Sequence, residues 1–202
     1  MQNWRRTFIT IWAGQAVSIL TSSVLQMAIV WYVTQRTGSA ALLSLATLIG
    51  FLPQAVLGMF IGVYIDRYNR KTVMIVADLL IALAGLVLVI VGAFGEIPLW
   101  LIYVVLFFRS IGAAFHTPAL QAITPSIVPK TQLTQYAGFA HGFKSLSMVI
   151  SPALAAVLFS IWDLNIVILL DVFGALFAMG ALLLVKLPGK GKKGPEGAVR
   201  ML

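Results

Sequence analysis

The 202-residue chain has no cysteine, which excludes disulfides, thiol chemistry and any cysteine-ligated metal. Charge is scarce too: 10% of residues are Asp, Glu, Lys or Arg, against roughly 25% in soluble domains. The two histidines, His116 and His141, do not combine with a carboxylate at metal-ligand spacing, so no metal is expected. No phosphate-binding loop and no catalytic constellation occurs. The expectation is therefore no enzyme, no cofactor and no direct drive by ATP. What the chain has in abundance is apolar surface. It is 60% hydrophobic with a mean hydropathy of +1.00, the composition of a polytopic membrane protein. At about 20 residues per crossing, there is room for six helices, giving an all-α membrane fold.

The net charge of +8 does not imply nucleic acid as a partner. The cations fall in short clusters between apolar runs and form no continuous face. Arg5 and Arg6 precede an apolar run, as in a signal peptide, but that run reaches Val33 and further spans follow, so it reads as a retained first helix.

The expected spans are Phe8–Val33, Ala40–Tyr64, Thr72–Ala93, Leu99–Ala119, Gln135–Ser160 and Ile166–Leu187. They make one transmembrane domain over residues 1–187. Pro53 is expected to bend the second span. Gly58 and Gly62, four apart, are expected to admit a neighbouring helix closely. Gly95, Glu96 and Pro98 mark a tight turn. The segment Gln121–Thr134, with Pro125, Pro129 and Lys130, reads as the longest internal connection. Residues 188–202 read as a basic, glycine-rich disordered tail. With the N-terminus in the cytoplasm, eleven of the fourteen basic residues fall on the cytoplasmic side and Arg36 alone outside. The bias predicts both termini inside. Trp4, Trp31, Trp100 and Trp162 fall near span ends, as interface anchors do.

Several polar residues lie inside the spans, where they are costly and point to function. Arg109 is about ten residues into the fourth span, roughly 15 Å deep at 1.5 Å per residue. It stays charged, so it cannot carry an exchanged proton, but it can hold a nearby carboxylate; the alternative is a purely structural ion pair. Asp78 and Asp171 are the candidate proton carriers, with Asp171 slightly preferred and Asp78 alternatively an inner-gate residue. Lys144 is also deep and is expected to pair with Asp171 or Asp78. His116 reads as an interfacial hydrogen bonder rather than a proton relay. Gln15, Ser22 and Gln26, at offsets of seven and four, share related faces of the first span; they line either a substrate cavity or a helix-helix seam. Phe8, Trp12, Phe51, Phe139 and Phe143 are candidates for a broad apolar binding surface or for lipid contact.

The densest charged stretch between apolar runs is Gly62–Met74, G-V-Y-I-D-R-Y-N-R-K-T-V-M. It resembles the loop between the second and third helices of the major facilitator superfamily, G-x-x-x-D-R-x-G-R-[RK]. Gly62, Asp66, Arg67, Arg70 and Lys71 match that pattern. Asn69 replaces its second glycine, and asparagine also tolerates a left-handed backbone. Arg109 with Gly112, Ala113 and Ala114 is similar to the family's arginine-plus-small-residue motif. Ser147–Ala156, S-M-V-I-S-P-A-L-A-A, is similar to its antiporter motif; Pro152 is kept, and serine and alanine stand for glycine. The stretches I-W-A-G-Q-A-V-S from Ile11, R-S-I-G-A-A-F-H-T-P-A from Arg109 and S-P-A-L-A-A from Ser151 resemble the macrolide-efflux branch of the Gram-positive drug exporters.

The resemblance implies one six-helix half of a twelve-helix fold, itself two three-helix repeats. It implies a multi-pass protein of the bacterial cell membrane. Gly62, Asp66, Arg67, Arg70, Lys71 and Pro152 would gate, with Asp66 locking against the other half. Proton-driven export of an amphipathic drug such as a macrolide is the implied function, with the proton gradient as energy source. The implied partners are the lipid bilayer and a C-terminal half or second half-transporter. The first expectation is a fragment or truncated product of such a transporter. The alternatives are a homodimeric or partner-dependent half-transporter, an inert membrane assembly protein, and an exporter of a siderophore or metabolite.

Overall fold

A computed structural model describes residues 4–65 and 67–185. The expected gate carboxylate Asp66 and the expected tail at 188–202 lie outside the described residues. The elements are α1 (Trp4–Thr37), α2 (Ala40–Ile65), α3 (Arg70–Phe94), α4 (Leu99–Ile127), a short 3-10 turn (Lys130–Gln132), α5 (Leu133–Ile161) and α6 (Leu164–Leu184). Among the described residues there are six helices long and apolar enough to cross a membrane. In hydrocarbon each backbone polar group must be satisfied within its own segment, and helices do that.

The turns follow local chemistry. Gly38 ends α1 with φ +59°, and its N–H donates to Thr34 O at 2.9 Å, an arrangement that glycine adopts without Cβ strain. Ser39 Oγ then accepts from Leu42 N at the start of α2, as an N-cap does. Asn69 does not take the left-handed conformation. It sits at φ −72°, ψ 114° and caps α3 by accepting from Lys71 N, so the side-chain oxygen, not backbone freedom, suits asparagine to this position.

One expected boundary is corrected. The segment Gln121–Thr134 is not a long connection, because α4 continues through Pro118 and Pro125 to Ile127 and α5 begins at Leu133. Proline removes an N–H, but membrane helices tolerate it where neighbouring groups satisfy the freed carbonyls. Pro53 likewise lies within α2. The next residue, Gln54, donates its backbone N–H to Ser110 Oγ on α4 at 3.0 Å.

The packing pattern reveals an internal repeat. Helix α1 packs on α6 and α5, while α4 packs on α3 and α2; α3 packs on α6. Exchanging α1 with α4, α2 with α5 and α3 with α6 leaves this set of contacts unchanged. The half is therefore two three-helix repeats, although no residue-level repeat shows in the sequence.

Two apolar clusters form the core. One holds Ile29, Leu106 and Ile168, and the other Ile11, Met74 and Leu182. Between them along the chain lie buried polar residues: Gln15, Ser18 and Thr21 on α1, Asp78 on α3, Arg109 and Ser110 on α4. The bundle is thus apolar at both ends of its interior and polar between them.

Small residues allow the helices to approach closely. A Cβ on Gly174 would lie 2.3 Å from Thr21 Oγ1, and one on Gly112 would lie 2.6 Å from Ile81 Cγ1. The buried face of α5 consists of Ser147, Ser151 and Ala155, so the stretch resembling an antiporter motif forms the face that packs against α1. Gly58 and Gly62 are different: nothing among the described residues lies within 4 Å of a Cβ built on either. The expected close approach at that pair is therefore not made among them.

Gly174→Ala is expected to destabilise by about 1–3 kcal/mol, the range for overpacking. Gly138→Ala, where no atom lies within 4 Å, should be neutral or stabilising by up to about 1 kcal/mol. Thermal unfolding of the two detergent-solubilised variants checks the contrast.

Candidate coupling site

The polar interior resolves into two centres. In the first, Asp171 of α6 meets Arg109 of α4, with Nη1 to Oδ2 at 2.6 Å. Ser22 Oγ of α1 donates to the other carboxylate oxygen, Oδ1, at 2.6 Å, and Thr21 Oγ1 reaches it at 3.4 Å. Asp171 is fully buried and Arg109 is 7% exposed. Gly85 on α3 flanks the guanidinium. Three helices thus converge on one carboxylate, and a charge-assisted bond in a low-dielectric interior holds them together.

The second centre joins Gln15 of α1, Asp78 of α3 and His116 of α4. His116 Nε2 stands 2.8 Å from Gln15 Oε1 and 3.3 Å from Asp78 Oδ1. All three side chains are buried. Gln15 Nε2 and Asp78 Oδ2 have no hydrogen-bond partner among the described residues.

The two centres share a register. Gln15 and Ser22 are seven apart on α1, Asp78 and Gly85 on α3, and His116 and Arg109 on α4. Seven residues are two helical turns, about 10 Å. On α6, seven residues from Asp171, Ala178 packs against Gly14. The carboxylates are thus supplied by different helices at two levels of one polar column.

The remaining expected residues are placed differently. Gln26 faces α2 beside Gly50, and its Nε2 is buried without a hydrogen-bond partner among the described residues, so it joins neither centre. Lys144 pairs with neither Asp171 nor Asp78. Asp171 is taken by Arg109, and Lys144 is exposed on α5, lining a cavity with His116 and His141. Phe8 and Trp12 are buried, and Phe8 packs edge-on against Tyr136 at 4.7 Å between centroids. They are core residues of the α1–α5 contact, whereas Phe51 and Phe139 are exposed.

In the charged loop, Arg67 is exposed. Arg70 Nη1 donates to Ala122 O at 2.8 Å, and Lys71 Nζ to Val185 O at 2.8 Å. These bonds tie the start of α3 to α4 and to the end of α6, where unpaired carbonyls attract cations. At the opposite end, Arg36 pairs with Glu96 and donates to Ile97 O, joining the end of α1 to the α3–α4 turn. Pro152 is half-buried within α5.

Sequence reasoning undervalued His116 and Thr21. For His116 the usable signal was its seven-residue offset from Arg109, which matches the offset between Gln15 and Ser22.

A six-helix bundle built of two three-helix repeats in the same order around a buried polar column defines a membrane-transporter scaffold, and the comparisons with known proteins agree. The sequence profile of the Major Facilitator Superfamily matches residues 11–200. The chain belongs to that superfamily and is an integral membrane protein. It is 54% identical over 191 residues to Macrolide efflux protein A of Streptococcus pyogenes, covering 95% of this chain and 47% of that protein. It is 53% identical over 156 residues to Macrolide efflux protein A of Enterococcus faecalis, covering 77% and 48%. It is 25% identical over 178 residues to the Staphyloferrin A transporter of Staphylococcus aureus, covering 88% and 44%. The chain thus spans about half the length of the curated relatives it matches. Its fold matches a bacterial homologue of the human lysosomal transporter Spinster in an inward-facing, unoccupied conformation. That match has a TM-score of 0.66 at 15% identity and covers 98% of this chain and 46% of the other.

Removing one member of a buried ion pair leaves an uncompensated charge, at a cost of about 3–5 kcal/mol. Arg109→Met is therefore expected to destabilise more than the double variant Arg109→Met with Asp171→Leu. Unfolding midpoints of the wild type, both single variants and the double variant measure that coupling.

Proposed function

We propose that the chain supplies one six-helix half of a proton-driven exporter of amphipathic drugs, macrolides among them. It lies in the bacterial cell membrane with both termini cytoplasmic. The observation that carries this reading is the carboxylate of Asp171, fully buried between Arg109 and Ser22. An ionised Asp171 holds α1, α4 and α6 together. Protonation removes its charge, weakens the Arg109 bond and frees a guanidinium that cannot itself lose a proton. The bond therefore links protonation to helix packing, which an antiporter requires. Asp78, with His116, is a second carboxylate on the same column. Gly62, Asp66, Arg67, Arg70 and Lys71 form the gate at the cytoplasmic end, and Pro152 belongs to the gating set on α5. The cargo is inferred from the similarity to the macrolide efflux proteins. A siderophore cargo is the second reading, favoured by the 25% identity to the Staphyloferrin A transporter.

The test is accumulation of a radiolabelled macrolide in inverted vesicles that contain the chain together with the C-terminal half of a macrolide efflux relative. Accumulation is expected to need a proton gradient and to fall at least tenfold in Asp171→Asn. Gradient-independent accumulation would sink the antiport reading. Absence of accumulation with both halves folded would sink the drug cargo. Accumulation with the chain alone would favour a homodimeric half-transporter.

A further inference from the structure

Lys144 poses a physical problem. It lies eleven residues into α5, about 16 Å along the helix at 1.5 Å per residue. An ammonium at such depth requires a counter-charge or a wet cavity. Among the described residues it has no ion pair, because Asp171 is bonded to Arg109 and Asp78 stands against His116. Lys144 instead lines a cavity of about 300 Å³ between α1, α4 and α5.

The other polar groups on that cavity carry no negative charge. His116 and His141 line it, with the amide of Gln121 and the hydroxyl-bearing Thr117 and Thr124, while Trp12 forms part of its apolar wall. No aspartate or glutamate is among its lining residues. Asp78 stands against His116 but is not among the lining residues, and Arg109 lies two turns from His116 along α4. The cavity therefore offers the Lys144 ammonium and neutral hydrogen-bonding groups, with no carboxylate, within apolar walls. That combination disfavours a cationic group and favours an anion or a cluster of acceptor oxygens.

We propose that this cavity binds the anionic or acceptor-rich end of an amphipathic ligand, and that Lys144 is the residue that reads its charge. The inference rests on the transporter reading only in treating the cavity as open to ligand. For a macrolide, it assigns the oxygen-rich face of the molecule to this cavity and places the amine elsewhere. A ligand oxygen bonded to Lys144 supplies a partner that no carboxylate among the described residues supplies.

The test measures binding, not transport, so it can fail independently of the proton-driven reading. The full chain is placed in phosphatidylcholine nanodiscs and dialysed against two matched probes, a naphthalenesulfonate and a naphthyl-trimethylammonium; empty nanodiscs are the blank. The sulfonate is expected to bind saturably and at least tenfold more tightly than the ammonium probe. Lys144→Gln should abolish that preference, and Lys144→Arg should retain it. Equal affinities, a preference for the ammonium probe, or a preference that survives Lys144→Gln would each overturn the proposal. Lys144 is exposed, and a monodisperse elution profile for each variant separates lost binding from lost folding.

Discussion

The bond between Arg109 and Asp171 constrains the rest of the bundle. A guanidinium and a carboxylate, both withdrawn from water, are stable only when their geometry is close and their remaining polar atoms are satisfied. At 2.6 Å, with Ser22 on the second carboxylate oxygen, the carboxylate of the pair meets that condition. Doing so requires α1, α4 and α6 to present those residues at one level of the membrane interior. Apolar clusters above and below then exclude solvent from the pair.

Such convergence depends on how closely the helices approach. Gly174 admits Thr21 beside the pair, Gly112 admits Ile81 of α3, and Gly14 admits Ala181 of α6. Hydrocarbon provides no hydrophobic drive between helices, so these contacts rely on close van der Waals packing and on polar bonds across the seams. On α5 the same logic selects Ser147, Ser151 and Ala155. The outward faces follow the opposite rule: Val76, Leu83 and Ile90 on α3 and Phe173 and Leu176 on α6 are exposed apolar side chains, suited to lipid.

Much of the fold was legible in the chain. Six apolar runs interrupted by charge or by glycine and proline gave the number and order of the helices. Their inner boundaries were less legible, because Pro118 and Pro125 carry the same local signal whether they break a helix or sit within one. Arg109, Asp78 and Asp171 stood out because an ionisable residue inside an apolar run is costly. Gln15 and Ser22 were found by their spacing on one face. The pairing expected of Lys144 was not legible, because its depth resembles that of Arg109 and depth does not reveal direction: Arg109 points into the bundle, whereas Lys144 lies on a cavity wall.

The sequence by itself determined that the chain is a membrane bundle of six helices with a few charges in its interior. Transfer energy and helix geometry are local properties, readable along one strand of text. Only the tertiary structure decided which charge meets which. Ser22, Arg109 and Asp171 are separated by 87 and 62 positions, and partnership across such distances depends on helix rotation and order in the bundle. The same holds for the seven-residue register of the two polar centres and for the exchange of α1–α3 with α4–α6. Both arise from how rigid helices pack side by side, and no window of sequence encodes that relation.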